Sequence, residues 1–385
     1  MAKVKNKTRA LPKTHLERAL SIPRDFVINE VPFDPDEAVP TPADNAPSLG
    51  PLAAFQKTFI GRGFNMIFRP QHSSSPTQLP VPQPESDNIL ELNLTIETLS
   101  FQSPLGAVPN RGELQADIFL NGVPYLQSIS DVTDPTRTTP IHLEPGIFLI
   151  VPSTTVPAVP ETVVRMASIP HGTTINAQGT FLNVPGGPRL DPIDITPFPI
   201  GNPDNRIRFP SQDVTTPETP RIPQDLSVAP TITQALLDDP VTMLRDHIQG
   251  MTILSNDVLF FDTKAEHPGG GTDNIAFLVG DAAGPNADAI EMSSIFWIEV
   301  VEAQLEVKPL KAGSSRTVSP PVPAGAPAPS FVVTAETEIY DTRFITVTYT
   351  QIQYVQNVAL NFAGLTWPHV SVATLVPSEA IKLSL

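Results

Sequence analysis

The chain has 385 residues, 45 of them proline and none cysteine, with a formal net charge of −16 at pH 7 and a mean hydropathy near zero. The lack of cysteine excludes disulfides and thiolate metal sites, and the acidic balance argues against nucleic acid, whose phosphates would repel it. Proline at about 12%, against about 5% in average usage, forces long non-helical connections, while 40% hydrophobic residues suffice for a sizeable core.

The first residues are basic (Lys3, Lys5, Lys7, Arg9, Lys13) but lack the apolar run of a secretion signal. No stretch of about 18 uncharged apolar residues is present, so no membrane span is expected; a soluble cytoplasmic protein follows as the expectation. Residues 1–50 carry a helix-compatible piece at 14–20 and then Pro32, Pro35, Pro40, Pro42 and Pro47. They read as an extended arm laid over the body, and such an arm reaching a neighbouring subunit would make a homo-oligomer.

Residues 59–69 read as a strand in which Gly61 and Gly63 share a face and leave space beside the backbone. Leu92, Leu94 and Ile96 alternate, and the phase then slips to Leu99 and Phe101, which predicts a bulge. Leu114, Ala116, Ile118 and Leu120 alternate next, and Asn121-Gly122 predicts a hairpin turn into Val123-Pro124-Tyr125-Leu126. Further strands are expected at 141–151, 163–169 and 173–182. Proline dominates 185–230 without periodicity. Thr231 is placed to cap a helix over 232–237, and Asp239-Pro240 to start another with the stripe Val241, Leu244, Ile248, ending at Gly250. Strands resume at 252–261, 274–279, 293–307, 331–340 and 344–362. Short spacing and turn chemistry point to antiparallel pairing. The expected fold is therefore all-β, a closed antiparallel barrel of about ten or more strands over 51–385, with a proline-rich and helical insertion at about 184–250. A barrel of more than eight strands is wide enough to hold a ligand.

The last strand concentrates the functional candidates. In residues 367–375 the period of two puts Trp367, His369, Ser371, Ala373 and Leu375 on one face and Val370, Val372 and Thr374 on the other. An imidazole followed by small side chains leaves room for a flat ligand. A neutral histidine ring is a ligand for haem iron; it serves equally as a core or rim residue satisfied by a hydrogen bond. His142 and Glu144 share a strand face, but they lack the third ligand of a catalytic zinc site and read better as a buried hydrogen-bonded pair. His171, in a Pro-His-Gly-Thr turn, is a capping residue or, facing a pocket, an acid and base for peroxide. Arg165 is placed to meet a haem propionate or to pair with one of the chain's forty carboxylates. His247 lies at a helix end, where the dipole favours it. The glycines at 269–271 lack the Gly-Lys-Ser/Thr ending of a phosphate loop.

The order of these segments resembles the nitrobindin family, haem-binding barrels related in shape to lipocalins and fatty-acid-binding proteins. The likeness rests on residues 52–63 with their Gly-x-Gly, Asn121-Gly122-Val123-Pro124-Tyr125-Leu126, residues 141–148, residues 163–172, Ile352-Gln353-Tyr354 and the ending Pro368-His369-Val370. It covers roughly 50–182 and 290–376. Phe59 stands where that family has a tryptophan, and the insertion and long N-terminal arm are departures. The chain also resembles a group of uncharacterised bacterial and fungal proteins with Ile169-Pro170-His171-Gly172-Thr173-Thr174 and Leu365-Thr366-Trp367-Pro368-His369. What the nitrobindin resemblance implies is b-type haem held by His369 as axial metal ligand, with Trp367, His171 and Arg165 around it. A small gaseous or peroxide ligand would sit on the iron, with peroxidase-like activity as an extension. The alternative expectation is an iron-free carrier or enzyme for an apolar small molecule in the same cavity.

Overall fold

The structure, a computed structural model, describes residues 46–71, 86–170, 172–264, 271–274 and 287–385. Of the expected N-terminal arm, only 46–50 fall inside this set. Ten strands form the body: β1 Thr58–Pro70, β2 Asn88–Phe101, β3 Ile118–Asp131, β4 Thr139–Val151, β5 Thr162–Ser168, β6 Thr173–Pro185, β7 Thr252–Asp262, β8 Asp288–Val307, β9 Arg343–Phe362 and β10 Leu365–Pro377. Each pairs antiparallel with the next in sequence. β10 then returns to β1, with Asn65 opposite Ser371, and the barrel closes. Closure removes the free edges of the barrel sheet itself.

Register and pleat fix which side chains point inward. Opposed residues share a face, so Asn93, Asn65, Ser371 and Gln356 form one inward row across β2, β1, β10 and β9. The interior is layered along the axis. At one end a short 3-10 turn, Gly50–Ala54, delivers buried Leu52 and Phe55 into the barrel. There Phe55 stacks on Phe101 at 4.4 Å, and Phe148 and Phe296 continue the plug. A buried polar layer follows, and the far end is hollow.

Outside, one side of the barrel is covered. Helices α1 Gln234–Asp238 and α2 Thr242–His247 bring Leu236, Leu237, Val241 and Leu244 into the same cluster as Phe64, Met66, Phe68, Val370 and Val372. Helices this short do not hold themselves in water; four shielded side chains at about 1.5–3 kcal/mol each do it for them. The cap of α1 is Thr233, whose Oγ1 accepts from Leu236 N at 3.2 Å, two residues beyond the expected Thr231. Asp239 Oδ1 accepts from Val241 N and Ile193 N at 3.1 Å each, so the Asp-Pro turn ties α2 to the proline-rich segment. A three-stranded sheet, Ser315–Val318, Phe331–Thr334 and Ile381–Ser384, buries a second cluster with Leu305, Val347 and Tyr349 from β8 and β9. No helix among the described residues is long and apolar enough to cross a membrane.

Two turn expectations differ from what is found. Asn121-Gly122 lies inside β3 rather than at a hairpin. The Asn121 side chain accepts from Gly106 N and Gly122 N and donates to Pro47 O, stitching the strand to its surroundings. A Cβ on Gly122 would stand 2.2 Å from Phe148 O, so the glycine serves close strand approach. β2 carries no bulge against β1. Its outer face is apolar at Leu90 and Leu92, where the cluster formed with the insertion lies, and its inner face is apolar at Leu99 and Phe101, where the plug sits. The apparent phase slip is one regular strand with burial on both faces. Of the expected strand at 274–279, only Asn274 is described, as the last residue of the strand Gly271–Asn274; 275–279 lie outside the described residues.

Candidate functional site

The open end of the barrel holds a cavity of about 420 Å³. Its apolar wall comes from Ile67, Ile129, Ile141, Ile169, Val358 and Leu360, and its polar wall from Asn65, Asn93, Gln127, His142, Tyr354, Gln356, His369 and Ser371. The arrangement matches what small-molecule sites require, a mostly apolar concavity with a few aimed polar groups.

His369 lines this cavity, half-buried on β10 opposite Val358 of β9. Its Nε2 donates to Asn65 Oδ1 at 2.8 Å, and Ser371 Oγ donates to the same oxygen at 2.8 Å. Asn65 Nδ2 in turn donates to Asn93 Oδ1 at 3.0 Å. With an amide oxygen as acceptor, Nε2 is the protonated ring nitrogen in this arrangement. Haem iron needs an unprotonated nitrogen, so ligation through Nε2 requires the bond to Asn65 to break first.

Trp367 is fully buried but does not line the cavity. Close to the hairpin that joins β9 to β10, it stacks on Phe362 with centroids 4.7 Å apart and donates from Nε1 to Phe362 O at 2.9 Å. Phe209 of the insertion and Phe68 complete its surroundings at 5.0 Å each. Its partners make it the pivot on which insertion and barrel meet. His171 lies outside the described residues.

Arg165 sits below the cavity in the polar layer, with 1% of its surface exposed. Nη2 donates to Glu144 Oε1 at 2.6 Å, Nε to the Tyr125 hydroxyl at 3.0 Å, and Nη1 to Gln356 Oε1 at 2.6 Å. Tyr125 also donates to Glu144. The guanidinium lies 5.3 Å from the Phe296 ring centroid, so the cation has an aromatic face as well. Burial works to raise the Glu144 carboxyl, but Arg165, His142 and Tyr125 together outweigh it and hold it at about 2. His142 reaches the other oxygen, Nε2 to Oε2 at 3.2 Å, and its ring lines the cavity. The sequence pair His142 and Glu144 is thus a hydrogen-bonded pair, with Glu144 buried and His142 partly exposed at the cavity, and Arg165 is its third member.

A second buried carboxyl was not singled out by sequence. Glu97 accepts from the Tyr354 hydroxyl at 2.6 Å, from Thr95 Oγ1 at 3.0 Å and from Gln127 Nε2 at 3.3 Å. Burial pushes it up to about 7 against those hydrogen bonds and nearby His142. Gly63 makes its place: a Cβ there would stand 2.7 Å from Glu97 Oε1. The available signal was Thr95, Glu97, Leu99 and Phe101 sharing one strand face that ends in plug residues. Elsewhere, His247 is buried, lowered to about 4 by burial and then by Arg62, and meets Thr374 Oγ1 at 3.0 Å. Among the described residues no group of three or more histidine or acidic side chains clusters as a metal site.

Fold and site together define a closed ten-stranded up-and-down barrel with an internal ligand-sized cavity. No protein-family model matches the chain, and no curated protein matches it. Among solved structures, the crystal structure of Rv2717c from M. tuberculosis is similar at 11% identity, over 87% of this chain and 99% of that one, with a TM-score of 0.33. A likeness at that score carries no argument about function.

Proposed function

We propose that the barrel binds a small molecule with an apolar body, seated in the cavity with its polar end toward Asn65, His369 and Ser371. The observation that carries this reading is a hollow of about 420 Å³ left inside a barrel whose other end is filled with aromatic rings. Small-molecule sites occupy about 300–1,000 Å³, and an unfilled interior costs stability unless a ligand or water uses it. The test is titration with Nile red, an uncharged apolar dye: saturable binding at one site per chain, weakened in His369→Ala, supports the reading. Fluorescence that rises without saturation removes it.

A second reading, b-type haem on His369, is favoured by the place of that ring on the cavity wall. Against it stand the Nε2 bond to Asn65 and the engagement of Arg165 by Glu144. When bound, haem would supply iron for a small gaseous ligand or peroxide. Adding haem to the purified protein decides between the two: a Soret band that disappears in His369→Ala favours iron, and spectra identical to free haem remove it. A cytoplasmic setting and self-association through residues 1–50 belong to the same set of proposals. Deleting that arm and measuring solution mass tests the latter, with an unchanged mass removing it.

A further inference from the structure

The cavity's charges are already matched to one another. Arg165 is held by Glu144 at 2.6 Å beneath the floor, and Arg69, at the rim, is held by Glu91 at 2.6 Å. Among the described residues no further lysine or arginine lines the cavity. The remaining polar wall is made of amides, hydroxyls and imidazoles. Glu97, whose partners Tyr354 and Gln127 face the cavity, sits where burial favours its uncharged form.

We propose that this cavity selects an uncharged ligand, an apolar body carrying a hydroxyl, carbonyl or ester group, and rejects carboxylates. The inference rests on the small-molecule reading above and narrows it to a ligand class. A carboxylate entering would lose its hydration with no unmatched cation among the described residues to receive it, and an unpaired charge in a dry site is costly. The net charge of −16 opposes its approach as well. A neutral acceptor meets neither penalty. Tyr354 and Gln127 already converge on Glu97; with Glu97 protonated its own O–H can turn to Tyr354, which frees the phenol O–H to donate into the cavity.

The experiment compares methyl decanoate with decanoate as competitors of Nile red at pH 7 on the full chain. The ester is expected to displace the dye at a concentration at least about tenfold lower than the acid, the equivalent of about 1.4 kcal/mol. Equal or tighter binding of the acid overturns the selectivity while leaving the cavity reading intact. Displacement by neither overturns the ligand class, while Nile red binding itself, tested separately, decides the cavity reading. In Glu91→Gln, which releases Arg69 at the partly exposed rim, the gap should narrow several-fold; a gap that stays the same assigns the rejection to something other than matched charge and overturns the argument.

Discussion

Glu97 offers the sharpest handle on the interior. Its carboxyl moves from 4.5 in an open chain to about 7 in the folded barrel, chiefly through burial. Between those two values the native state keeps a proton that the unfolded chain has released, so stability falls as pH rises and levels off above 7. At about 1.4 kcal/mol for each pH unit, the loss across this window is about 3 kcal/mol. The carboxyl is shielded from solvent, so screening does not reduce it. Glutamine at 97 keeps the shape and an acceptor for Tyr354 but cannot ionise. Urea unfolding followed by tryptophan fluorescence at pH 5, 6, 7 and 8 should therefore show wild type losing stability over this range, with Glu97→Gln falling less steeply by about that amount. Glu299, raised to about 8 by burial, adds a slope of the same sign in both proteins. Parallel profiles for wild type and variant would refute the reasoning.

Replacing Arg165 with methionine leaves Glu144 buried beside Tyr125 without its cation, and the expected cost in urea unfolding is about 3–5 kcal/mol; adding Glu144→Gln should recover part of it, and a loss unchanged in the double variant would refute the pairing. Trp367→Phe removes the hydrogen bond to Phe362 O and should cost about 1 kcal/mol while Nile red affinity stays the same; lost affinity would place the indole at the ligand. Gly63→Ala forces a methyl group against Glu97 and Val372 O, and should lower the melting temperature by several degrees, since 1 kcal/mol is worth about 2–4 °C in a domain of this size or somewhat smaller.

The barrel was legible because its pattern is local. Strands such as β9 alternate over many residues, and successive strands pair with one another, so chain order is also spatial order. The insertion's apolar residues were visible as a stripe, Val241 and Leu244, but not the face they cover. His369 was readable as inward-facing from period two alone. Trp367 shares its alternation phase, yet near the hairpin its neighbour is Phe362, and the insertion supplies Phe209 from far away in sequence. Glu97 was hidden for a like reason: the hydroxyl that accompanies it belongs to Tyr354, 257 residues later. Arg165 was seen as a cation in need of a partner. That the partner is Glu144, two strand positions from His142 on an adjoining strand, follows only once β4 and β5 are in register.

The most direct measurement fills the hollow. Val358 faces His369 across β9 and β10 and lines the cavity wall; in Val358→Trp the indole occupies space the ligand needs. Isothermal or fluorescence titration of this variant, shown by circular dichroism to keep its β-structure, should give no saturable Nile red binding where wild type binds one equivalent. Unchanged binding in a folded Val358→Trp protein would mean that the ligand sits elsewhere and that the interior of the barrel is not the site.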